Sequence, residues 1–237
     1  PRRASGQDGD GGVVGPEGHI RIAAAGDPTT GTRRSPTFDK TVFTGKLAEM
    51  GVADDLVAQA LGPLSSQFTM TELDEALAHL HRRVTPSSSL QRATQGMHWL
   101  ASSNYRVAFP PESQLSQRVL FPAGPSESQG MEDARLVRFV EEDGSVVYYA
   151  TYTAFDGFSI LPQLLETTDF EDFRISTLNG EAARNKGMAI FPRRVNGRYA
   201  ALGRCDGESN YLMVSDHLRF WHDAEPIQMP TRPWELM

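Results

Sequence analysis

The chain has 237 residues, 39% of them hydrophobic, and a formal net charge of −7. This composition suits one large globular domain or two small ones, and the negative charge argues against nucleic acid or an anionic membrane surface as a partner. The single cysteine, Cys205, excludes a disulfide framework within the chain and a cysteine-rich zinc site, and is typical of a reducing compartment.

No apolar run approaches the roughly 18–20 residues of a membrane span, and no signal-peptide pattern opens the chain. We therefore predict a cytoplasmic protein with no membrane partner. The chain starts at Pro1 and stops at Met237, directly after strand-like and proline-rich sequence. From these two ends we expect a fragment of a longer protein.

The N-terminal part has little apolar content. Residues 1–16 are rich in Gly, Asp and Arg and are expected to form a disordered, mobile segment. Residues 17–25 can form one strand, and the DP, GT and SP breakers that follow are typical of a loop. We assign residues 17–37 to one strand and its loop.

A helical pattern follows. Apolar residues recur at helical spacing over 38–50, and a second short helix is predicted over 54–61. Thr69 and Glu72 fit the S/T-x-x-E pattern of a capping box that opens a third helix. We expect this helical insertion to occupy residues 38–96.

From residue 97 onward the pattern is that of β-strands. Short segments rich in β-branched and aromatic residues are separated by turn signals. The segments are YRVAF, RVLF, RLVRFV, SVVYYATYT, MAIF, RYAAL and YLMV. No long helical pattern interrupts them, which favours antiparallel strands over βαβ units.

Residues 135–180 and 186–230 repeat the same order of strands, glycine turns and Asp-Gly pairs. The equivalent positions, with offsets of 48 to 53 residues, are Gly144 and Gly197, Asp156-Gly157 and Asp206-Gly207, Phe170 and Leu218, and Phe173 and Trp221. A repeat of about 50 residues with several strands is typical of a β-propeller blade; a chance likeness of hairpins is the alternative. The sequence therefore predicts a mainly β fold, a partial β-propeller with antiparallel blades over 97–237 and a small α-helical insertion.

Ligands of a propeller bind where polar side chains at the ends of the innermost strands converge on the channel. Asp133 opens such a strand in the segment GMEDARLVRF, and an acid held there can donate a proton to a leaving oxygen. The alternative is an aspartate that caps a turn and pairs with Arg135. Because side chains alternate along a strand, Glu132 should face away from Asp133, while Arg135 should share its side.

Asn185 and Lys186 open the next inner strand, at a roughly equivalent place. If buried, Lys186 would need an anion or a carboxylate; a solvated turn lysine is the alternative. Arg204 ends the following strand near Asp206, and either joins the same cationic group or pairs with that carboxylate.

Asn104 and Tyr105 form a polar–aromatic pair of the kind that sugar sites use, although a core tyrosine is the alternative. The six histidines lack metal-ligand spacing, and we predict no metal site.

Five segments occur together in an order and spacing that resemble glycoside hydrolase family 130: GMEDARLVRF, YYATYTAFDG, TDFEDF, NKGMAIFPRRVNGRYAAL and SDHLRFWHD. This family comprises β-mannoside phosphorylases and related β-mannosidases with five-bladed β-propellers. The resemblance covers residues 97–237. It implies part of a five-bladed propeller that cleaves β-mannoside-type bonds by phosphorolysis, with an oligosaccharide substrate, inorganic phosphate as co-substrate and no cofactor.

The family motif E-D-P-R reads Glu132-Asp133-Ala134-Arg135 here, which implies that Asp133 is the single general acid. By the same resemblance Lys186 is a phosphate or substrate ligand, and Arg204 matches the arginine of an H-R pair. The full set of expected substrate or phosphate ligands is Asn104, Arg135, Asn185, Lys186, Arg204 and Asp206.

The chain departs from the family pattern at two positions, because Ala134 replaces a proline and Gly203 replaces the histidine of the H-R pair. Hydrolysis by water therefore stays open, and it would need a second carboxylate as the base. Candidates for that base are Glu132, Asp156 and Asp206. A non-catalytic carbohydrate-binding propeller and an inactive fragment also stay open.

Overall fold

The computed structural model of the chain describes residues 28–235 and two short paired strands before them, β1 (Val13–Val14) and β2 (Ile20–Arg21). Apart from these two strands, the predicted mobile segment 1–16 and the predicted strand 17–25 lie outside the described residues.

Four α-helices follow one another in the first half of the chain. They are α1 (Lys40–Glu49), α2 (Asp54–Leu61), α3 (Met70–Arg83) and α4 (Ser88–Ser103). The first three are the predicted helices, and the predicted capping box is present: the Thr69 N–H donates to Glu72 Oε2 at 2.7 Å, and the Glu72 N–H donates to Thr69 Oγ1 at 3.3 Å. None of the helices in the described residues combines the length and apolar character needed to cross a membrane.

The predicted end of the helical part at residue 96 is wrong, because α4 continues to Ser103. The serine run before α4 starts a helix, since the Ser87 hydroxyl accepts a hydrogen bond from the Leu90 N–H at 3.1 Å. Leu90, Met97 and Leu100 on one face of α4 are buried, and they join the helices in a hydrophobic core of their own. We call residues 38–103 the helical section.

The described strands up to residue 119 have two to four residues each, and the longer strands all come after it. They are β3 (Thr29–Thr30), β4 (Thr32–Arg34), β5 (Phe38–Asp39), β6 (Gln67–Phe68), β7 (Tyr105–Ala108), β8 (Arg118–Val119), β9 (Met131–Val140), β10 (Val146–Phe155), β11 (Ile160–Thr167), β12 (Asp172–Thr177), β13 (Ala189–Ile190), β14 (Tyr199–Gly203), β15 (Asn210–Ser215) and β16 (Asp223–Gln228). Each predicted strand segment overlaps one of these strands.

Two antiparallel sheets carry most of the strands. One has the order β4-β7-β12-β11-β10-β9, and the other the order β13-β14-β15-β16. β9–β12 and β13–β16 are thus two successive four-stranded meanders, which we call the first and second meander. They form open sheets, and their assignment as blades of a five-bladed propeller stays a prediction.

The two meanders share the local geometry that their sequence repeat predicts. Gly144 and Gly197 both adopt positive φ, 83° and 76°, in the turn after the first strand of each meander. In the next turn of each meander an aspartate accepts hydrogen bonds from the backbone N–H groups two and three residues later, at 2.7–2.9 Å for Asp156 and 2.8 Å for Asp206. The matched features therefore reflect equivalent structure.

The meanders pack face to face, with their first strands side by side. Phe139, Tyr149 and Leu164 of the first meander share a hydrophobic core with residues of the second, among them Trp221, which is fully buried. The Val140 N–H, at the end of β9, donates to the Pro192 carbonyl just after β13 at 3.0 Å. As a result the starts of β9 and of the segment that leads into β13 lie at the same end of the molecule.

Candidate active site

Asp133 lies in a β-bulge at the start of β9. The pairing of β9 with β10 shifts between Glu132 and Arg135, so that Asp133 and Ala134 together face the single residue Tyr152. Asp133 has a φ of 56°, in the left-handed region that residues other than glycine seldom adopt and that aspartate tolerates better than most.

This bulge interrupts the strand alternation from which the orientation of the two acids was predicted. Simple alternation placed Glu132 and Asp133 on opposite sides, but the left-handed residue interrupts the alternation. The Glu132 carboxylate forms an ion pair with Lys186, and the Asp133 carboxylate forms one with Arg135. Both acids therefore belong to one group of charged side chains.

The expected contact between Asp133 and Arg135 is present. Arg135 Nη2 donates to Asp133 Oδ2 at 3.1 Å, and its Nε donates to Oδ1 at 3.4 Å. The two side chains are 39% and 40% exposed. An ion pair this exposed adds little stability, so its main effect is to orient the carboxylate.

Asn185 occupies the equivalent place before β13 and has nearly the same backbone conformation as Asp133, with a φ of 58°. Its Nδ2 donates to the Cys205 carbonyl at 2.7 Å, which ties the segment before β13 to the turn after β14. Two residues later, Gly187 has a φ of 81°, and a Cβ at this glycine would lie 3.2 Å from Arg135 Nη2. The glycine thus lets the arginine pack against the start of the second meander.

We call Glu132, Asp133, Arg135 and Lys186 the acid–cation cluster. Arg204 adjoins it, because its Cδ would lie 3.6 Å from a Cβ at Gly187.

Arg204 and Asp206 form their hydrogen bonds with other groups rather than with each other: Arg204 donates to backbone, and Asp206 accepts from two N–H groups and from the Tyr211 hydroxyl. Arg204 Nη2 donates to the Gly207 carbonyl at 2.8 Å. The Asp206 carboxylate closes its turn. It accepts a hydrogen bond from the Glu208 N–H and another from the Ser209 N–H, and these bonds, the first more than the second, lower its pKa to about 2. Its position is explained by the turn, as is that of Asp156 in the first meander.

The structure does not bring Asn104 to the acid–cation cluster. Its Nδ2 donates to the Leu100 carbonyl at 2.8 Å, and its Oδ1 accepts from the Thr177 N–H at 3.0 Å. These bonds hold the end of α4 against β12, which β11 and β10 separate from β9 in the sheet order. Tyr105 is buried, with 2% of its surface exposed, so the core interpretation applies to this residue.

A buried carboxylate that the sequence analysis missed lies behind the bulge. Glu127 is fully buried, and it accepts hydrogen bonds from the hydroxyls of Tyr105 and Tyr152 and from the N–H groups of Ala123 and Gly124. Burial, followed by the nearby Glu127 carboxylate, raises the pKa of both tyrosines. Tyr152 lies on β10 opposite the bulge, so Glu127 helps to fix the strand that pairs with the one carrying Asp133. The stretch PSESQ around Glu127 looks like an exposed loop, and nothing in its composition signals burial.

The bulge also borders an apolar cavity of about 360 Å³. Its walls include Tyr148, Phe170 and Phe173, and the two acids stand at its edge. Within the residues that the structure describes, no group of three or more His, Cys, Asp or Glu side chains is placed to hold a metal ion.

The chain is similar to two mannoside phosphorylases, while no protein-family model matches it. It is 30% identical over 115 residues to the beta-1,2-mannobiose phosphorylase of Listeria innocua serovar 6a, and this match covers 46% of this chain and 31% of that protein. It is 32% identical over 129 residues to the 1,2-beta-oligomannan phosphorylase of Thermoanaerobacter sp. strain X514, and this match covers 52% of this chain and 40% of that protein. The matches thus span well under half the length of these curated relatives.

Two solved structures give weak superpositions. The Listeria innocua beta-1,2-mannobiose phosphorylase in complex with beta-1,2-mannobiose has a TM-score of 0.36 at 22% identity, over 55% of this chain and 37% of that chain. A structure described with the finding that the GH130 family of mannoside phosphorylases contains glycoside hydrolases that target beta-1,2 mannosidic linkages in Candida mannan has a TM-score of 0.34 at 15% identity, over 54% and 42% of the two chains. The two sequence matches to mannoside phosphorylases confirm the predicted resemblance to glycoside hydrolase family 130.

Proposed function

We propose that this chain carries the acid of a glycoside phosphorylase that cleaves β-mannosidic bonds, with Asp133 as the proton donor. The observation that carries the proposal is the position of Asp133: a half-exposed carboxylate in a left-handed bulge, held by Arg135 and next to a second charged strand start. The sequence similarity to two mannoside phosphorylases supports the choice of reaction.

The backbone of Asp133 supports a functional role for its side chain. A left-handed conformation costs a residue other than glycine roughly 1–2 kcal/mol, and such conformations cluster at functional sites. Here the conformation directs the carboxylate towards Arg135 and leaves 39% of the side chain open to a ligand. An acid in this position can reach the oxygen of a bound glycoside.

The charges around Asp133 suit phosphate as the nucleophile. When Asp133 carries the proton that it is to donate, Arg135 loses its ionic partner. Glu132 is then the one carboxylate of the acid–cation cluster that faces Arg135, Lys186 and the adjoining Arg204. The resulting positive charge favours a phosphate dianion, which arginine binds in a bidentate manner.

Hydrolysis by water fits the same site less well, since it needs a second carboxylate as the base. Asp156 and Asp206 are engaged by the N–H groups of their turns, and Glu132 is engaged by Lys186. Phosphorolysis needs no such base, because phosphate is itself the nucleophile.

The proposed reaction is one displacement. A phosphate oxygen attacks the anomeric carbon of the mannoside, the bond from that carbon to the glycosidic oxygen breaks, and the proton of Asp133 passes to the leaving oxygen. The products are mannose 1-phosphate and a sugar with a free hydroxyl, and Asp133 regains its proton from solvent.

Incubation of the chain with β-1,2- and β-1,4-linked mannooligosaccharides, with and without inorganic phosphate, tests the proposal. We expect mannose 1-phosphate to form only when phosphate is present. Release of free mannose at the same rate without phosphate would assign the site to a hydrolase. Binding of the oligosaccharide without any turnover would assign it to a carbohydrate-binding protein.

A further inference from the structure

One exposed phenylalanine is not explained by the fold. Phe158, in the turn between β10 and β11, is 96% exposed, the highest value among the large hydrophobic residues that the structure describes. The equivalent turn of the second meander reads DGES where this one reads DGFS, so that Glu208 stands in the place of Phe158. Both turns are closed by the same pair of hydrogen bonds to an aspartate, and the fold therefore needs no aromatic residue there.

Phe158 stands at the rim of a large cleft. The cleft has a volume of about 910 Å³, near the upper end of the range for ligand-binding sites. Its sides are the turn that carries Phe158, the segment from Gly180 to Asn185, and helices α1 and α4 of the helical section. Trp99 on α4 contributes a second aromatic ring, and Glu181 contributes an exposed carboxylate.

The helical wall of this cleft is fixed to the second side. Lys46 of α1 is buried and donates from Nζ to the Leu178 carbonyl at 2.8 Å. Glu49 pairs with Lys46 at 3.0 Å and accepts from the Gly180 N–H at 2.6 Å. The two charged side chains thus join α1 to the chain segment that leads to the start of the second meander.

The cleft adjoins the acid–cation cluster. Pro162 and Asn185 line both the cleft and a small space, of about 10 Å³, beside Asp133. Asn185 thus stands between Asp133 and the cleft, so a ligand that reacts at Asp133 would reach Phe158 by passing over Asn185.

We propose that this cleft binds the distal units of a β-linked mannooligosaccharide longer than a disaccharide, an inference that rests on the proposed function. The apolar face of a sugar ring stacks on an aromatic side chain, and its hydroxyls hydrogen-bond to carboxylates and amides. Phe158 and Trp99 supply the rings, while Glu181 and Asn185 supply the polar groups. The helical section then determines the length of the substrate.

Phe158→Glu tests the inference, because the second meander already shows that glutamate is compatible with this turn. The affinities of the full chain and of the variant for β-1,2-mannobiose and β-1,2-mannotetraose are measured by calorimetry without phosphate. We expect the Kd for the tetraose to rise about tenfold, as for the loss of one aromatic stacking contact, while the Kd for the biose changes less than twofold. Phe121→Glu, at a phenylalanine that is 51% exposed outside the cleft, is the matched control and should change neither value.

Three results would overturn the inference: an equal loss for both sugars, no loss for either, or no binding of the tetraose to the unmodified chain. A change in sedimentation mass with unchanged affinities would instead identify Phe158 as a subunit contact, which also overturns it. The phosphate-dependent assay on the same protein separates this outcome from that of the proposed function. If mannobiose is turned over but Phe158→Glu leaves the Kd of the tetraose unchanged, only the proposal about the cleft is rejected. If the tetraose binds in a way that depends on Phe158 but no sugar is turned over, only the proposed reaction is rejected.

Discussion

Asp133 combines a left-handed backbone with a half-exposed carboxylate, and substitution can separate these two properties. Asparagine tolerates the left-handed region as aspartate does, and Asn185 adopts it at the equivalent position with a φ of 58°. Asp133→Asn should therefore keep the bulge and the unfolding midpoint while it removes the proton donor. We expect kcat/KM for mannobiose phosphorolysis to fall about 10²–10⁴-fold, the usual contribution of general acid catalysis.

The control for this substitution is Asp216→Asn, at an aspartate whose side chain is 83% exposed and pairs with Arg198. It should leave both activity and stability unchanged. Retention of full activity by Asp133→Asn would show that another group donates the proton.

Glu127 contributes to stability because its buried carboxylate accepts four hydrogen bonds. Glu127→Ala leaves two tyrosine hydroxyls and two N–H groups without their acceptor, and we expect a loss of about 3 kcal/mol in the free energy of unfolding. Glu127→Gln keeps one oxygen and should lose about 1 kcal/mol. Urea unfolding measures both values. Glu112→Gln, at an exposed glutamate, is the control, and equal stability of Glu127→Ala and the unmodified chain would contradict the assigned role.

The candidate site was predictable where it depends on residues close together in sequence. The motif around Asp133 placed Arg135 beside the acid, and the repeat placed Lys186 near both. The pairing of Glu132 with Lys186 depends on the shift between β9 and β10, which no pattern within β9 reveals. Glu127 was missed for a similar reason, since its partners come from other strands.

At the scale of single elements, local rules placed three of the four helices and, among the meander strands, β9, β10 and β13 to β15. Alternation and glycine turns are encoded within each strand and hairpin, and the capping box of α3 is encoded within four residues. α4 was not predicted because Pro86 and the run of serines after it suggest the end of a helix, while burial of Leu90 and Met97 against the other helices stabilises α4. Tertiary packing thus overrides local preference in this segment.

The start of α4 gives a prediction at this scale. The Ser87 hydroxyl caps the helix by accepting the Leu90 N–H, and loss of such a cap costs about 1 kcal/mol. Ser87→Ala should lower the free energy of unfolding by that amount in urea titrations. Ser89→Ala, two residues later and exposed, should change it little. Equal effects of the two substitutions would mean that the cap does not stabilise α4.

For the whole molecule, acid unfolding follows from carboxylates distributed over both meanders. Backbone N–H groups lower the pKa of Asp206 to about 2 and also lower the pKa of Asp169, and the Ser145 side chain and N–H lower that of Asp143. A group whose pKa is lower in the folded state stabilises it above the pKa of the unfolded chain, near 3.8, and this contribution disappears as the pH falls towards the folded value. The urea midpoint should therefore be level above about pH 5 and fall between pH 4 and pH 2. Asp206→Asn should make that fall shallower, and an identical acid profile for the variant would contradict this origin.

At high pH the stability of the fold falls as the pH rises, which is the opposite dependence, and this fall arises from tyrosines buried in the sheet cores. Burial raises the pKa of Tyr105, Tyr149 and Tyr152 above the ordinary value of 10.0, and for Tyr105 and Tyr152 the Glu127 carboxylate adds to the effect. A group whose pKa is higher in the folded state stabilises it below the pKa of the unfolded chain, and the contribution is lost as the pH rises from about 10 towards the folded values. The urea midpoint should therefore decline above pH 10, and absorbance near 295 nm should show these tyrosines ionising only as the chain unfolds. Ionisation of all six tyrosines near pH 10 while the chain stays folded would contradict the buried hydrogen-bonded arrangement around Glu127. The arrangement around Glu127 faces the bulge of Asp133. The same pH titration of Glu127→Gln therefore tests whether the hydrogen bonds of Glu127 both support the candidate acid and stabilise the sheet at high pH.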